Sequence, residues 1–331
     1  MTDPRLDVLC IGNAIVDVIA DATDEFLIAE GLTKDSMRLI DAEEAKRLYD
    51  HMQPAREVSG GCAGNTAAGI SALGGRAGFV GQVAPDQLGE FYIHDLTAAG
   101  VEYTIPPVEV GVPTARSMIL VTPDGHRTMN TFLGAAQELA VGVLDEDQIR
   151  ASAIVYLEGY LWDPQTPRFA MVRAIEVARE AGRKVAFSLS DLFCVERHRE
   201  GFTALIDQGR IDILFANEAE ILAMAAVPHL DTAVAAIAPK VETLVVTRGA
   251  AGALAVRGGQ RIDVGAEPVD EVVDTTGAGD LFAAGFLFGY ATGKTLERAL
   301  RLGAIAAAEV IQHYGARPEA DLRALAADLL D

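Results

Sequence analysis

Short apolar runs alternate with longer helical patterns over most of the chain, and this alternation limits the fold more than any other feature. The runs DVLCIGN, KVAFSLS and TLVVTRG are typical of strands, and CAGNTAAGISALGG and TPRFAMVRAIEVAREAG are typical of the helices between them. Strands that are apolar almost throughout are buried on both faces, as in parallel sheets. We therefore predict an α/β fold of three layers, α/β/α, with a mostly parallel central sheet.

One region breaks this alternation. ARSMILV and RTMNTF flank the turn sequence TPDGH, which predicts two strands joined by an Asp-Gly turn with no helix between them. Together with the polar stretch after Asp17, these strands are expected to form a small antiparallel flap outside the main sheet. The sequence has no internal repeat and no low-complexity linker, so we predict one domain over residues 1–331, with a β-rich lid from segments near 14–58 and 103–134.

Composition excludes several classes of function. Half of the 331 residues are apolar, which is enough for a substantial core. The formal charge is −21 and the basic residues form no runs, so neither nucleic acid nor a membrane surface is expected as a partner. Any phosphate that the protein binds should therefore meet a local pocket.

The N-terminal segment and the cysteines indicate a cytoplasmic protein. Asp7, Asn13 and Asp17 interrupt the first apolar run, which favours a buried strand over a signal peptide. No uninterrupted apolar segment is long enough to predict a membrane span. The chain has 3 cysteines, an odd number at wide spacing, so free thiols in a reducing compartment are expected.

Two common nucleotide-binding signatures are absent from the sequence. It contains no G-x-G-x-x-G, and GYATGKT, which resembles a P-loop, has three residues between its glycines where a P-loop has four. GYATGKT also follows a predicted helix rather than a strand. We interpret it as a helix terminus, with Gly293 as the C-cap and Thr295 opening the next helix.

The segment DTTGAGD, from Asp274 to Asp280, precedes a long run of small and apolar residues. Gly277, Ala278 and Gly279 allow backbone N–H groups to turn toward one point, and the following helix adds its positive end, so the loop can hold an anion. Asp280 in the first helical turn is either a residue that compensates the helix dipole or a base beside a transferring phosphoryl group. Asp274 is expected to brace the loop.

Several segments resemble one known family. DTTGAGDLFAAGF resembles the C-terminal signature of the ribokinase/PfkB carbohydrate kinases, and SGGCAGNTAAGISALGG resembles their N-terminal signature. NEAE matches the family's Asn-x-x-Glu motif, and TRGAAGA is similar to its Thr-x-Gly-x-x-Gly nucleotide loop. The resemblance covers essentially the whole chain. It implies a ribokinase-like fold and phosphoryl transfer from ATP to an alcohol.

The resemblance also implies roles for individual residues. It makes Asp280 the general base that takes a proton from the attacking hydroxyl, and Gly277, Ala278 and Gly279 the anion hole. The pair Asn217 and Glu220, three residues apart at a predicted strand-to-helix junction, would organise Mg²⁺ and its waters, although such a pair is also typical of a helix cap. The residues implied for the ATP site are Asn217, Thr247, Gly249 and Gly252.

The other end of the site would hold the acceptor. GNAIVDV places Asn13 and Asp17 four residues apart near the end of the first predicted strand, where polar groups cost free energy unless they are hydrogen-bonded. A strand end that enters a turn is the alternative. The spacing resembles the adenosine kinase branch of the family, in which such residues hold the ribose. The resemblance further places Gly60, Gly61 and Asn65 at the sugar and Arg127 on the transferring phosphate.

The base pocket is less well defined by the sequence. Aromatic side chains at Tyr160, Trp162, Phe132 and Phe193 could stack on a base, but such residues are more often part of core or interface packing. Cys62 lies within the N-terminal signature, where we interpret it as a small buried residue rather than a reactive thiol.

The resemblance implies a Mg²⁺- and ATP-dependent kinase that phosphorylates the 5′-hydroxyl of adenosine. The alternatives are the same chemistry on a free sugar such as ribose or fructose or on another nucleoside, and a catalytically silent nucleoside-binding regulator. Asp280, Asn217 and Glu220 are all present, which argues against the regulator. We expect a monomer or homodimer, and K⁺ is a further cofactor that the sequence leaves open.

Overall fold

The computed structural model describes residues 4–109 and 111–330, and the strands within them form two sheets. The strands are β1 (Leu6–Ile11), β2 (Ile15–Asp21), β3 (Met37–Leu39), β4 (Arg56–Ser59), β5 (Ala77–Val80), β6 (Glu102–Tyr103), β7 (Ala115–Val121), β8 (Arg127–Phe132), β9 (Ser152–Glu158), β10 (Lys184–Ser188), β11 (Ile213–Asn217), β12 (Thr243–Thr247), β13 (Ala253–Arg257) and β14 (Gln260–Val264).

Helices connect most of these strands. They are α1 (Asp24–Ala29), α2 (Ala42–His51), α3 (Cys62–Ala72), α4 (Gln87–Ala98), α5 (Glu146–Arg150), α6 (Gln165–Glu180), α7 (Leu192–Asp207), α8 (Glu218–Ala225), α9 (Leu230–Ile237), α10 (Ala278–Ala291), α11 (Leu296–Val310), α12 (Leu322–Leu325) and α13 (Ala327–Leu330).

The larger sheet has the order β14-β13-β12-β11-β10-β9-β1-β5-β6 in the described residues. β1 pairs in parallel with β9 on one side and β5 on the other, so Val8 lies opposite both Ala77 and Ile154. Only the edge formed by β12, β13 and β14 is antiparallel. The mostly parallel central sheet predicted from the alternating pattern is therefore confirmed.

Helices cover both faces of this sheet. α3, α10 and α11 pack with Phe79 in a core on one face, and α6, α7 and α8 pack with Phe187 in a second core on the other. The two cores account for the near-continuous apolar character of the strands between them. The predicted three-layer α/β/α architecture is confirmed.

α10 explains the small and apolar run after DTTGAGD. Its residues from Leu281 to Gly289 are all buried, because α3, β1 and α11 surround it. A Cβ at Gly285 would overlap the backbone of Leu302 in α11. The glycine therefore allows the two helices to approach closely.

The smaller sheet has the order β3-β8-β7-β2-β4. β7 and β8 form the predicted hairpin, antiparallel across the Asp-Gly turn. The expectation of an antiparallel flap is wrong in one respect, because β2 pairs with β7 and β3 with β8 in parallel. The sheet is mixed because β2 and β3 enter it from separate parts of the chain, so neither is joined to its parallel neighbour by a hairpin.

The first apolar run is two strands rather than one. β1 ends at Ile11 in the larger sheet, and β2 begins at Ile15 in the smaller sheet. The prediction that Asn13 and Asp17 lie near the end of one strand is therefore wrong: Asn13 lies in the break and Asp17 lies within β2. The polar residues mark the point where the chain passes from one sheet to the other.

Two smaller sequence interpretations can be compared with the structure. GYATGKT is a helix terminus as predicted, with Gly293 at φ +74° after α10 and the Thr295 side chain capping α11. Within residues 4–109 and 111–330, no single helix is long and apolar enough to cross a membrane. One bent pair, Glu218–Ala225 with Leu230–Lys240, reaches that length and composition jointly at an angle of 64°.

Candidate active site

A cavity of about 410 Å³ lies between the two sheets. Its floor is formed where the larger sheet ends, and the smaller sheet covers it. Residues at or just beyond the carboxyl ends of five neighbouring parallel strands line the floor: Asn13, Glu158, Ser188, Asn217 and Thr247. This is where open α/β sheets bind their ligands.

Asp280 lies in the first turn of α10 and in the cavity wall. Its Oδ2 accepts a hydrogen bond from Nδ2 of Asn65 at 2.9 Å. Withdrawal from bulk water raises the pKa of Asp280 to about 6, against the lowering effect of hydrogen bonds from Asn65 and Cys62. With this pKa the carboxylate is mostly ionised at neutral pH, and it can take up a proton from a group that reacts beside it.

The loop before Asp280 is shaped to hold an anion. Gly277 adopts φ +78° and a Cβ there would lie 2.6 Å from Cβ of Ala316, so the position requires glycine. At Gly279 a Cβ would meet no atom within 4 Å, and the residue lines the cavity. Ala278 begins the helix. The helix N-terminus and this open backbone form a cradle at the centre of the cavity.

Asp274 braces the loop, as expected. Its fully buried carboxylate accepts hydrogen bonds from the backbone N–H of Thr276 at 2.8 Å and of Gly315 at 3.1 Å. Arg127 donates to the Thr276 hydroxyl and pairs with the Asp274 carboxylate. The predicted phosphate contact, Arg127, is thus held beside the anion loop, on residues of the loop itself.

Most of the residues predicted for the acceptor end line the cavity. Asp17 of β2 and Asn65 of α3 line the cavity, as do Asn13 and Gly61. Gly60 packs beneath the Asp17 carboxylate, where a Cβ would overlap it. Burial, followed by the charge of Asp280, raises the pKa of Asp17 to about 7.

Two of these residues are tightly constrained. Gly61 has φ +81°, and a Cβ there would overlap the carbonyl oxygen of Asn13. The side-chain Oδ1 of Asn13 is buried and has no hydrogen-bond partner in the described structure, although Asn13 lines the cavity. An acceptor without a partner at this place fits a ligand hydroxyl.

Sequence reasoning missed Glu158. This side chain is only 1% exposed, and its carboxylate accepts from the backbone N–H of Asn13 at 2.8 Å and of Ala63 at 2.9 Å. Burial raises the pKa of Glu158 to about 7. Its position as the last residue of the buried run AIVYLE, at a carboxyl end, was the signal that could have identified it.

Asn217 and Glu220 form a capping box at the start of α8. Asn217 Oδ1 accepts from the backbone N–H of Glu220 at 2.9 Å, and the Glu220 carboxylate accepts from the backbone N–H of Asn217 at 2.9 Å. Both residues also line the cavity, and burial raises the pKa of Glu220 to about 7. The same two residues therefore cap α8 and line the cavity.

Of the residues predicted for the nucleotide loop, Thr247 lines the cavity. Gly249 and Gly252 adopt φ +54° and +84° in the turn between β12 and β13. A Cβ at Gly252 would overlap the carbonyl oxygen of Val264. The structure gives both glycines a role in shaping this turn and places neither in the described wall of the cavity.

Among the candidate aromatic residues, Tyr160 lines the cavity and donates its hydroxyl to Asp191 at 2.9 Å. Trp162 packs edge-on against Phe202, and Phe193 is exposed beneath Arg197. Phe132 is buried against α1 and α2 in the core of the smaller sheet. The packing interpretation therefore holds for Trp162 and Phe132.

Cys62 also lines the cavity, beside Asp280. Burial and the neighbouring carboxylates raise the pKa of its thiol well above the usual value. This agrees with the interpretation of an unreactive thiol.

Residues 6–322 match the model of the pfkB family of carbohydrate kinases. The chain belongs to this family. Adenosine kinase from Sinorhizobium meliloti superposes with a TM-score of 0.93 at 49% identity, over 98% of this chain and 99% of that one. A probable sugar kinase from Rhizobium etli gives 0.94 at 47% identity, over 98% and 99%. Adenosine kinase from Saccharomyces cerevisiae is 29% identical over 338 residues, 95% of this chain and 96% of that protein.

As a member of the pfkB family, the protein is a phosphotransferase that acts on an alcohol group, with ATP as the phosphoryl donor. The resemblance stated from the motifs is confirmed over nearly the whole chain. The names of its relatives include both a nucleoside kinase and a sugar kinase. Family membership therefore fixes the reaction, and the choice of acceptor has to be argued from the cavity.

Proposed function

We propose that the protein phosphorylates the 5′-hydroxyl of adenosine, with ATP and Mg²⁺, giving AMP and ADP. The observation that carries the proposal is the composition of the acceptor end of the cavity, where the smaller sheet presents one carboxylate, Asp17, among mainly apolar side chains. Asp17 would hold the ribose hydroxyls, and the apolar wall would hold the base.

The smaller sheet supplies this apolar wall. The side chains that line the cavity from this part of the chain are mostly apolar: Ile15, Met37, Leu39, Ile119, Met129 and Leu133. A free sugar carries hydroxyl groups around its whole ring, and apolar neighbours would leave them without partners. A purine is flat and largely apolar on its faces, so it gains by contact with such a wall.

In this proposal Asp280 is the general base. Its carboxylate takes the proton of the 5′-hydroxyl as that oxygen attacks the γ-phosphorus of ATP and the bond to the ADP oxygen breaks. The cradle of Gly277, Ala278 and Gly279 would stabilise the charge on the transferring group. Arg127, anchored on Thr276 and Asp274, lies where its charge can act on the same group.

Asn217 and Glu220 are proposed to organise Mg²⁺ through its waters. The residues present fit this ion: both side chains present hard oxygen atoms at the cavity wall, and each oxygen in the capping box retains a free lone pair. Among residues 4–109 and 111–330, no group of three or more His, Cys, Asp or Glu side chains is placed to hold a metal ion. When bound, Mg²⁺ would neutralise phosphate charge. Thr247 would lie beside the nucleotide, and Gly249 and Gly252 would shape that edge of its site.

The smaller sheet is proposed to act as a lid formed by segments near 14–58 and 103–134. It carries Asp17 and most of the apolar wall, while Asp280 and the capping box belong to the larger body. Closure over bound adenosine would bring the 5′-hydroxyl of the ribose to the Asp280 carboxylate. It would also exclude water, which otherwise competes as the phosphoryl acceptor.

A kinase of a free sugar is the second candidate. Ser117 and Thr131 of the smaller sheet line the cavity, and their hydroxyl groups lie 2.8 Å apart. These groups, with Asp17 and Asn65, could bind sugar hydroxyls. The Rhizobium etli protein named as a probable sugar kinase is also closely similar over the same length.

The deciding experiment is a comparison of kcat/KM for adenosine, other nucleosides, ribose and fructose. We expect adenosine to exceed ribose by at least about 10²-fold, because the base adds binding energy that positions the 5′-hydroxyl. A matched variant, Ile119→Ser, places a hydroxyl in the apolar wall and should lower kcat/KM for adenosine more than for ribose. Equal or better use of ribose or fructose by the unmodified protein would reject adenosine and leave the kinase reaction in place.

A further inference from the structure

We infer that Arg317 is a positioning residue for the catalytic base: its guanidinium fixes the side-chain amide of Asn65 in the orientation that presents NH₂ to Asp280. The inference rests on the proposed role of Asp280 as base. It assigns a function to the segment YGARPE, which lies beyond α11 and outside the motifs described above.

The orientation of the Asn65 amide follows from its two neighbours. Arg317 Nε lies 3.4 Å from Asn65 Oδ1, and Asn65 Nδ2 lies 2.9 Å from Asp280 Oδ2. A guanidinium can only donate, and an ionised carboxylate can only accept. The reversed amide would place two donors together on one side and two acceptors together on the other. Arg317 therefore determines that Asp280 receives a hydrogen bond.

The segment that carries Arg317 is built against the anion loop. Gly315 donates its backbone N–H to Asp274 at 3.1 Å, and Ala316 packs beneath Gly277. Arg317, the next residue, reaches Asn65. These three successive residues thus contact Asp274, Gly277 and Asn65, respectively. The Arg317 side chain is 14% exposed, so its position is well constrained.

The charge of Arg317 acts in the same direction. The charged and titratable groups around Asp17 and Asp280 include Asp274, Arg127, Arg317, Glu158, Cys62, Tyr92 and Tyr156. Arg127, which is paired with Asp274, and to a smaller extent Arg317 lower the pKa of Asp17, and the Asn65 hydrogen bond lowers the pKa of Asp280. Both effects favour the ionised forms of these two carboxyl groups, against the larger opposing effect of burial.

A purely structural role would rest on the pair between Arg317 Nη1 and Asp95 Oδ2, at 3.2 Å. The Asp95 side chain is 42% exposed, and ion pairs at such positions contribute little to stability. Asp95→Asn removes this charge while leaving the contact between Arg317 and Asn65. It is the matched control.

The test compares Arg317→Met with Asp95→Asn in kcat, KM and pH profile, with adenosine and ATP. We expect Arg317→Met to lower kcat by about 10-fold or more with KM for ATP unchanged, and to move the acid limb of kcat/KM to higher pH. Asp95→Asn should leave kcat and the acid limb unchanged. Because Arg317 acts through Asn65, the double variant Asn65→Ala with Arg317→Met should lose little more activity than Asn65→Ala alone.

Arg317→Lys covers the case in which the methionine variant does not fold, because lysine keeps a donor and a charge. It should recover part of kcat and restore the acid limb. An unchanged pH profile in a folded Arg317 variant, or fully additive losses with Asn65→Ala, would overturn the inference. If Asp280→Asn also retained normal turnover, the base itself would be misassigned, so the two failures can be distinguished.

Discussion

At the scale of the residue, the cavity wall holds four carboxyl groups whose pKa values are raised by burial. The pKa is about 7 for Asp17, Glu158 and Glu220, and about 6 for Asp280. Each group is more easily protonated in the folded protein than in the unfolded chain, so each costs stability at neutral pH. At neutral pH these buried carboxyl groups therefore lower the free energy of unfolding of the protein.

Asp280→Asn tests this cost together with the role of the base. The amide keeps one acceptor for Asn65 and removes the charge, so kcat should fall by about 10²-fold or more while the melting temperature at pH 8 rises by about 2 °C. Steady-state kinetics and thermal unfolding of the same preparation check both outcomes. Near-normal turnover in a folded variant would exclude Asp280 as the base.

Asp17 predicts a pH dependence of stability. Its pKa is raised in the folded state, so the folded protein holds a proton that the unfolded chain has lost between about pH 4 and pH 7. The wild-type protein should therefore lose stability relative to Asp17→Asn as the pH rises through this window. Between the two ends of this pH window, the difference in unfolding free energy between the two proteins should change by about 1–2 kcal/mol. This is smaller than the whole pKa shift would give, because solvent at the cavity screens the charge. Urea unfolding of both proteins across the window measures it, and a constant difference would contradict the raised pKa.

At the scale of the element, helix termini carry most of the proposed chemistry. α10 begins at the anion loop, α8 begins at the capping box, and α3 begins where Glu158 accepts the backbone N–H of Ala63. The first N–H groups of a helix have no partner within the helix, so each terminus offers donors to a ligand or a cap. All three helices begin at the one cavity, although only α8 directly follows a parallel strand, whereas α3 follows β4 of the smaller sheet and α10 follows the loop after β14.

Glu220→Gln separates the cap from the metal role. Glutamine at this position still accepts from the backbone N–H of Asn217, so the capping box should be kept, and the hydrogen bond from Asn217 Nδ2 to the second carboxylate oxygen is lost. The melting temperature should therefore fall less than in Glu220→Ala. The loss of charge should raise the Mg²⁺ concentration for half-maximal rate by about 10-fold. Glu220→Ala is the comparison, since it removes the cap as well and should lower the melting temperature. Unchanged Mg²⁺ dependence in the glutamine variant would contradict the metal role of Glu220 and leave it only the role of a helix cap.

Gly285→Ala tests the close packing of α10 on α11. The added methyl group would overlap the backbone of Leu302, so the free energy of unfolding should fall by about 1–3 kcal/mol. Gly142→Ala is the matched control, because a Cβ there meets no atom within 4 Å. Chemical unfolding of both variants provides the measurement. Equal stability of the two would contradict the packing argument.

At the scale of the whole molecule, the site depends on two sheets that belong to different parts of the chain. The smaller sheet carries Asp17 and most of the apolar wall, and the larger sheet carries the strand ends that form the cavity floor. The formal charge of −21 opposes the approach of any anion, so ATP has to be held by local groups and not by a general positive field.

Ligand-induced stabilisation should report the two ends separately. A ligand at 100 times its Kd stabilises the folded state by about 2.7 kcal/mol. Asp17→Ala should abolish most of the stabilisation by adenosine and leave that by ADP nearly intact, because the two ligands occupy different ends of the cavity. Thermal shifts with each ligand check this, and an equal loss for both would place Asp17 in a general structural role.

The sequence by itself determined the layers of the fold and the local geometry of its key motifs. Apolar period, turn residues and glycine placement are local properties, so they predicted the central sheet, the β7–β8 hairpin and the helix that starts after DTTGAGD. They also placed Asp280 in the first turn of that helix and paired Asn217 with Glu220.

Only the tertiary structure decided which distant residues complete the site. Glu158 bonds the backbone of Asn13 across 145 positions, and Arg317 reaches Asn65 across 252. The tertiary structure also showed that Asp17 belongs to the smaller sheet and that Gly249 and Gly252 lie in a turn. Such contacts depend on the order of strands and the packing of helices, which no local pattern encodes, because the same periodicity is compatible with many arrangements of the same elements.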